Sequence, residues 1–210
     1  MKPMNIVVFS LCFAIILTSF FCSRAQEVSP EKNEILKDKR ILIVYLSRTN
    51  NTKAVAQIIH KKVGGTLIAL ELKTPYPEHY QTTVNQVAEE NSTGYLPPLK
   101  TVIDSMQHFD VVFVGFPTWG MQLPPPMKSF LKQYDLSGKK VIPFNTNGGY
   151  GIGSSFETIK KLSPNSIVLE GFSTKGGSER DGILYVMEGE KEVQVQDKIH
   201  KWLQKISIIN

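Results

Sequence analysis

Hydrophobic positions along this chain change period again and again, and each change marks an element. Residues 40–46, with the run Ile41-Leu42-Ile43-Val44-Tyr45-Leu46, are apolar on both alternating faces, which predicts a buried parallel strand. From near Lys53 the period lengthens: Val55, Ile58, Ile59 and Val63 stand at i, i+3, i+4 and i+8, an amphipathic helix that Gly64-Gly65 stops. Residues 66–72 return to a strand. The polar stretch 75–94 holds a short helical stripe, Tyr80, Val84 and Val87, after Pro77, and Pro97-Pro98 closes it. Residues 111–115 form the next buried strand, introduced by Asp110. Prolines 124–126 lead into a helix with Met127, Phe130, Leu131 and Tyr134 on its apolar side, because first-turn N–H groups have no intrahelical partner to lose. Residues 140–146 are a strand. Ser154 and Ser155 are candidate caps for a helix that runs to Leu162 with Phe156 and Ile159 inward. Residues 166–172 read as a fifth strand, and Val195, Ile199, Trp202, Leu203 and Ile206 mark a last helix. Between them, Glu188-Gly189-Glu190 fits either a hairpin tip or the start of that helix.

Strand and helix alternate throughout, without an internal repeat or a low-complexity linker. This predicts an α/β fold: a single three-layer doubly wound sandwich around a five-stranded parallel sheet, spanning residues 40–206. Each crossover is right-handed. Ligands of such sheets lie beyond the carboxyl ends of the strands. Three unusual loops, 47–52, 116–123 and 146–153, all follow strands and are therefore expected on one edge.

The first residues change the setting. Lys2 precedes an almost wholly apolar run over residues 6–21, and Ser23-Arg24-Ala25 puts small residues where a signal peptidase reads, so residues 1–25 read as an export signal and 26–39 as a polar lead-in. The run is short for a membrane span, no Arg-Arg pair precedes it, and Phe21 is not the small residue that lipid attachment at Cys22 wants. The expected location is periplasmic or extracellular. Both cysteines, Cys12 and Cys22, lie in the leader, so the mature chain has no disulfide, thiol catalysis or thiolate metal site. The chain carries a formal charge of +5; without Lys2 and Arg24, 22 basic residues face 19 acidic ones, a mild excess with no dense basic run to argue for nucleic acid.

The chemistry lies in the loops. Ser47, Arg48, Thr49, Asn50, Asn51 and Thr52 join a strand to a helix start. Hydroxyls, free backbone N–H groups and the helix dipole together make a cradle for one phosphate, which needs about three to five donors. The triphosphate motif G-x-x-x-x-G-K-[ST] is absent, as is G-x-G-x-x-G after the first strand. The second loop holds Pro117, Thr118, Trp119, Gly120 and Met121; the third holds Thr146, Asn147, Gly148, Gly149, Tyr150 and Gly151. His60, His79, His108 and His200 are scattered, with no carboxylate or second histidine at ligand spacing, and Ser154-Ser155 lacks a nucleophile-elbow setting.

Ser47, Thr49 and Thr52 match the flavodoxin loop pattern [ST]-x-T-G-x-T, with Asn50 where the family has glycine. Together with Gly115-Phe116-Pro117-Thr118-Trp119 after the third strand and the glycine loop after the fourth, this resembles the flavodoxin-like family over nearly all of residues 40–206. The resemblance implies strand order 2-1-3-4-5 and non-covalent FMN. It implies phosphate at residues 47–52, Trp119 and Tyr150 on the two faces of the flavin ring, and Gly120 with residues 146–151 along its N5 and pyrimidine edges. Asparagine tolerates the left-handed backbone that glycine would adopt. The function so implied is electron transfer with a redox protein or a small acceptor. The alternatives are an FMN-dependent NAD(P)H:quinone-type reductase and a cofactor-free binding module on the same fold. The mild basic charge does not suit the partners of acidic flavodoxins.

Overall fold

The computed structural model describes residues 39–210; the leader and nearly all of the lead-in lie outside the described residues. The order is β1 (Ile41–Tyr45), α1 (Asn51–Val63), β2 (Thr66–Ala69), α2 (Tyr80–Thr93), β3 (Val111–Pro117), α3 (Pro125–Gln133), β4 (Lys140–Asn147), α4 (Ser155–Leu162), β5 (Ile167–Val168), β6 (Phe172–Lys175) and α5 (Gly189–Lys205). The sheet is parallel and ordered β2-β1-β3-β4-β5, with β6 also on β4. This is the expected doubly wound α/β sandwich.

Alternation along the strands builds two cores. Ile41, Ile43 and Tyr45 face α1 and α5 and meet Val55, Ile59, Val195 and Trp202. Leu42 and Val44 face the other layer and meet Met127, Phe130 and Ile159 of α3 and α4. Both faces of the strands are covered, which is why they read as unbroken apolar runs. Gly115 keeps β3 and β4 in contact: a Cβ there would lie 2.0 Å from the Phe144 ring. The packed chain continues beyond residue 206, since Ile208 and Ile209 are buried.

Several boundaries differ from the sequence pattern. Helix α1 starts at Asn51, two positions before Lys53, and β3 runs on to Pro117. Helix α5 begins at Gly189, so residues 188–190 start a helix and do not turn a hairpin. Ser154 occupies the N-cap position of α4 but makes no side-chain capping bond, and the Ser155 hydroxyl is buried without a partner among the described residues. The largest difference is the fifth strand, expected over 166–172 and found as β5 and β6 with a break between. The register slips there: Val141 pairs Val168 but Phe144 pairs Phe172, so three residues of the edge oppose two of β4. One of those two is Pro143. Val141 accepts from Leu169 N at 2.9 Å, so alternation turns Pro143 toward the same edge, where it has no N–H to donate. A bulge is the ordinary answer to a proline inside a sheet.

Candidate functional site

The first loop is a tight turn between β1 and α1. Asn50 is in the left-handed region, φ 62°, as the N-cap of α1. The backbone N–H groups of Thr49, Asn50, Asn51 and Thr52 have no hydrogen-bond partner among the described residues, as expected of a helix N-terminus. The hydroxyls are arranged with them. Ser47 Oγ accepts from Lys53 N at 3.2 Å, and Thr49 Oγ1 accepts from Asn51 Nδ2 at 2.9 Å, so each keeps its own proton to donate. Buried Thr52 and Thr146 share a hydroxyl contact of 2.8 Å; one O–H serves the other, and one proton remains for a third group.

Two side chains of this loop are committed elsewhere. Arg48 Nε donates to both carboxylate oxygens of Glu179 at 2.8 and 2.9 Å, and its Nη1 and Nη2 donate to Pro77 O and Glu78 O at 2.9 and 2.6 Å. Asn51 donates to Leu184 O at 2.6 Å and accepts from Val186 N at 3.1 Å. Both residues tie the loop to residues far along the chain, and the cradle is left with neutral donors.

The second loop is a small hairpin in which Trp119 and Gln122 exchange backbone hydrogen bonds of 3.3 and 3.0 Å. Gly120 and Met121 both take positive φ at its tip. Trp119 is half-buried and meets Tyr76 edge-on, ring centroids 5.4 Å apart. The Tyr76 hydroxyl donates to Glu90, a buried carboxylate that also accepts from Gln86 Nε2 at 2.9 Å. Burial, followed by the Glu90 carboxylate, pushes the Tyr76 phenol well above its ordinary range.

The third loop is closed on itself. Asn147 Oδ1 accepts from Gly149 N at 2.9 Å and Gly151 N at 3.2 Å. Buried Asn145 donates to Phe116 O and to the Thr118 hydroxyl, and Thr118 donates on to Gly151 O at 3.0 Å. Tyr150 is exposed, and its hydroxyl accepts from Arg180 Nη2 at 2.6 Å. The Arg180 guanidinium is held above its ordinary range, first by Asp181 and then by Tyr150.

All three loops meet in one cleft of about 670 Å³ at the carboxyl edge of the sheet. Its wall takes Arg48, Thr49, Asn51 and Thr52, then Pro117 to Gly120, then Thr146, Asn147, Gly148, Tyr150 and Gly151. Ser47, Asn50 and Gly149 stand outside that wall. Two further segments line it that the sequence pattern did not assign. One is residues 177–180, after β6, whose position past the end of the edge strand was the available signal. The other is one side of α2, including Val84 and Val87 of the apolar stripe. A second, smaller pocket of about 270 Å³ lies at the opposite end of the sheet, beside Lys139 and Ile208. No group of three or more potential metal ligands occurs among the described residues, and no described helix is long and apolar enough to cross a membrane.

The comparisons with known proteins agree with this fold. The family model described as "Flavodoxin" matches residues 40–188, and the chain belongs to that family. Among solved structures, a provisionally named flavoprotein from Bacteroides eggerthii DSM 20697 is 27% identical, with TM-score 0.66, over 81% of this chain and 99% of that one. A similarly named protein from Bacteroides uniformis ATCC 8492 is 23% identical, with TM-score 0.63, over 77% and 98%. A flavoprotein from Lactobacillus acidophilus NCFM, solved in complex with FMN, shares the fold at 21% identity and TM-score 0.56, over 69% and 98%. No curated protein sequence matches the chain.

Proposed function

We propose that this chain binds FMN in the carboxyl-edge cleft and serves as an electron-transfer flavoprotein. The observation that carries the reading is the first loop: four neighbouring N–H groups without partners among the described residues, beside the Ser47 and Thr49 hydroxyls, which each retain a proton, and the Thr52–Thr146 pair, which retains one, at the positive end of α1. A phosphate dianion supplies the acceptors that such a loop lacks. Membership of the flavodoxin family, and the FMN complex of the Lactobacillus acidophilus protein, support the same cofactor.

On this reading Thr49 and Thr52, which line the cleft, donate hydroxyl protons to the phosphate, Ser47 does so from just outside that wall, and residues 49–52 donate N–H groups. Arg48 and Asn51 contribute shape, since their side chains are already engaged. Trp119 and Tyr150 offer flat apolar area to the ring, at low entropy cost. Gly148 and Tyr150 keep the free N–H groups of the third loop, because Asn147 already holds those of Gly149 and Gly151. Bound FMN supplies the redox chemistry, and the chain supplies binding, orientation and electrostatic tuning. The leader sequence supports an exported protein that acquires its flavin outside the cytoplasm.

The test is to purify the chain and titrate it with FMN and with riboflavin. FMN should bind tightly and much more strongly than riboflavin, with the flavin visible spectrum retained through gel filtration. A folded, colourless protein indifferent to FMN would sink the reading. A reductase acting on a small acceptor is the second reading, and it is favoured by the part of the cleft that α2 lines.

A further inference from the structure

Positive charge gathers at the end of the sheet opposite the cleft. The strands are parallel and the helices that return between them run the other way, so α1, α3, α4 and α5 all finish at the amino edge of the sheet. Each carries lysine in its last turn: Lys61 and Lys62, Lys132, Lys160 and Lys161, and Lys205. A cation at a helix C-terminus is favourable to the helix dipole, and that alone would account for a lysine on each. Two observations exceed that account. Helix α2 ends elsewhere, beside the first turn of α3, where Lys128 reaches Asn91, and its own last turn has no basic residue. Lys39-Arg40 and Lys139-Lys140 stand at the starts of β1 and β4, where no helix dipole calls for them. The charge follows the edge of the sheet and not the helix ends.

Little of it is neutralised. Arg40 pairs with Asp110, Lys160 with Glu157 and Lys205 with Glu170. Lys61, Lys62, Lys132, Lys140 and Lys161 are exposed and have no carboxylate within ion-pair distance among the described residues. Against them stand Asp135 and Asp104, whose neighbour Ile103 bonds to Tyr134 at the end of α3. In the middle lies the pocket of about 270 Å³, with Lys39, Lys139 and Lys140 in its wall. Lys139 is buried there, its Nζ donating to Phe109 O at 2.7 Å and to Gln107 O at 3.4 Å. The carboxyl of Asp110 is held below its ordinary range by the Arg40 N–H that it accepts and by the charges of Arg40, Lys39 and Lys139. Ile167, in the same wall, is 58% exposed and adds apolar surface.

We propose that this pole of the molecule docks on an anionic lipid bilayer, peripherally and by electrostatic attraction. Protein interfaces are anchored by aromatic residues and arginine and are poor in lysine. This surface is mainly lysine, spread over the ends of four helices and two strands. Point charges on flexible stems suit a fluid array of phosphates. The course of the chain agrees. It enters β1 through Lys39, at this pole, so the apolar run over residues 6–21, read as an export signal, leads by sequence to this edge and not to the cleft. Docked in this way, the domain keeps its cleft turned away from the bilayer. The inference does not depend on FMN being the ligand of that cleft.

The mature chain, residues 26–210, should sediment with vesicles of phosphatidylcholine and phosphatidylglycerol and not with vesicles of phosphatidylcholine alone. Binding should fall away as salt approaches about 1 M, where the screening length is about 3 Å. Lys61→Gln, Lys62→Gln and Lys161→Gln combined should weaken binding about a hundredfold, at about fivefold for each lysine removed. Lys53→Gln, Lys73→Gln and Lys175→Gln combined remove as much charge from the cleft end and should stay within about threefold of the parent. Lys61→Arg, Lys62→Arg and Lys161→Arg combined should bind as the parent does, and thermal midpoints close to the parent's report that all three variants fold. Equal sedimentation with both kinds of vesicle overturns the proposal. So does equal weakening by the two glutamine triples, since net charge and not this pole would then govern binding. Duplex DNA that competes for the protein as well as the anionic vesicles do overturns the assignment to lipid.

Discussion

The first and third loops close opposite sides of one cleft, yet they treat their backbones in opposite ways. Over residues 49–52 the N–H groups have no hydrogen-bond partner among the described residues. Over residues 147–151 the Asn147 side chain takes two of the N–H groups itself. A loop that satisfies its own donors keeps its shape whether or not a ligand is present. A loop that leaves them open gains most when an acceptor arrives, because unpaired polar groups next to a low-dielectric wall are costly. If FMN binds as proposed, the difference assigns the roles: the third loop serves as a pre-formed platform, and the first is where binding free energy is concentrated. Substitutions should therefore separate stability from affinity.

The largest effect should fall on the platform. Gly153 ends the third loop at φ +55°, and a Cβ there would lie 1.9 Å from Met121 O. Left-handed strain and overpacking together put the loss for Gly153→Ala at about 2–5 kcal/mol, read as a lower denaturant midpoint. A midpoint unchanged in Gly153→Ala would mean that the loops are not braced against each other. Next comes the cradle. The double variant Thr49→Val, Thr52→Val removes two hydroxyls from a charged ligand, and at about 1.5–3 kcal/mol each FMN should weaken about a hundredfold or more. Riboflavin, which lacks the phosphate, should change far less; equal losses for the two flavins would break the assignment of phosphate to this loop. Asn147→Ala is the converse experiment. It frees the N–H groups of Gly149 and Gly151 and also removes the bonds that Asn147 Nδ2 donates to Asn145 Oδ1 and Ser173 Oγ, both at 3.1 Å, so at about 0.5–1 kcal/mol per lost bond stability should fall by about 2–4 kcal/mol. FMN affinity should move only a few-fold, and a hundredfold loss would erase the contrast between the loops.

Much of this was legible in the residues. The runs at 41–46 and 111–115 and the stripe Val55, Ile58, Ile59 depend on local periodicity alone, and they form β1, β3 and α1. The convergence of three loops follows from strand direction, which alternation of strand and helix already fixes. What was hidden depends on residues distant in sequence. The fifth strand breaks because of Pro143 on its neighbour, and nothing within 166–172 announces that. Arg48 stands in a phosphate-loop pattern, but its partner Glu179 lies 131 positions away, and that ion pair removes the guanidinium from the cradle. The stripe on α2 carries the same spacing whether it faces a core or a cleft, so periodicity identified the helix and could not say what its apolar side would meet.

The finest test of the contrast lies at Asn50, the one departure from the family loop pattern. Its φ of 62° and ψ of −4° place it where glycine is at ease, and its side chain makes no capping bond and is exposed. Asparagine bears the left-handed backbone at less than the ~1–2 kcal/mol that other L residues lose there. Asn50→Gly relieves that remaining strain, but it also loosens the unfolded chain by about 0.5–1 kcal/mol, so the two effects oppose. The melting temperature and FMN affinity should both stay close to the parent. Asn50→Val has no such release, because a β-branched residue resists positive φ. It should lose about 1–2 kcal/mol of stability and also weaken FMN, since the strained turn no longer aims the N–H groups of residues 49–52 together. If Asn50→Gly alone weakens FMN strongly, then the side chain and not the backbone of residue 50 meets the ligand, and the picture of a cradle made of backbone N–H groups and hydroxyls must be redrawn around that amide.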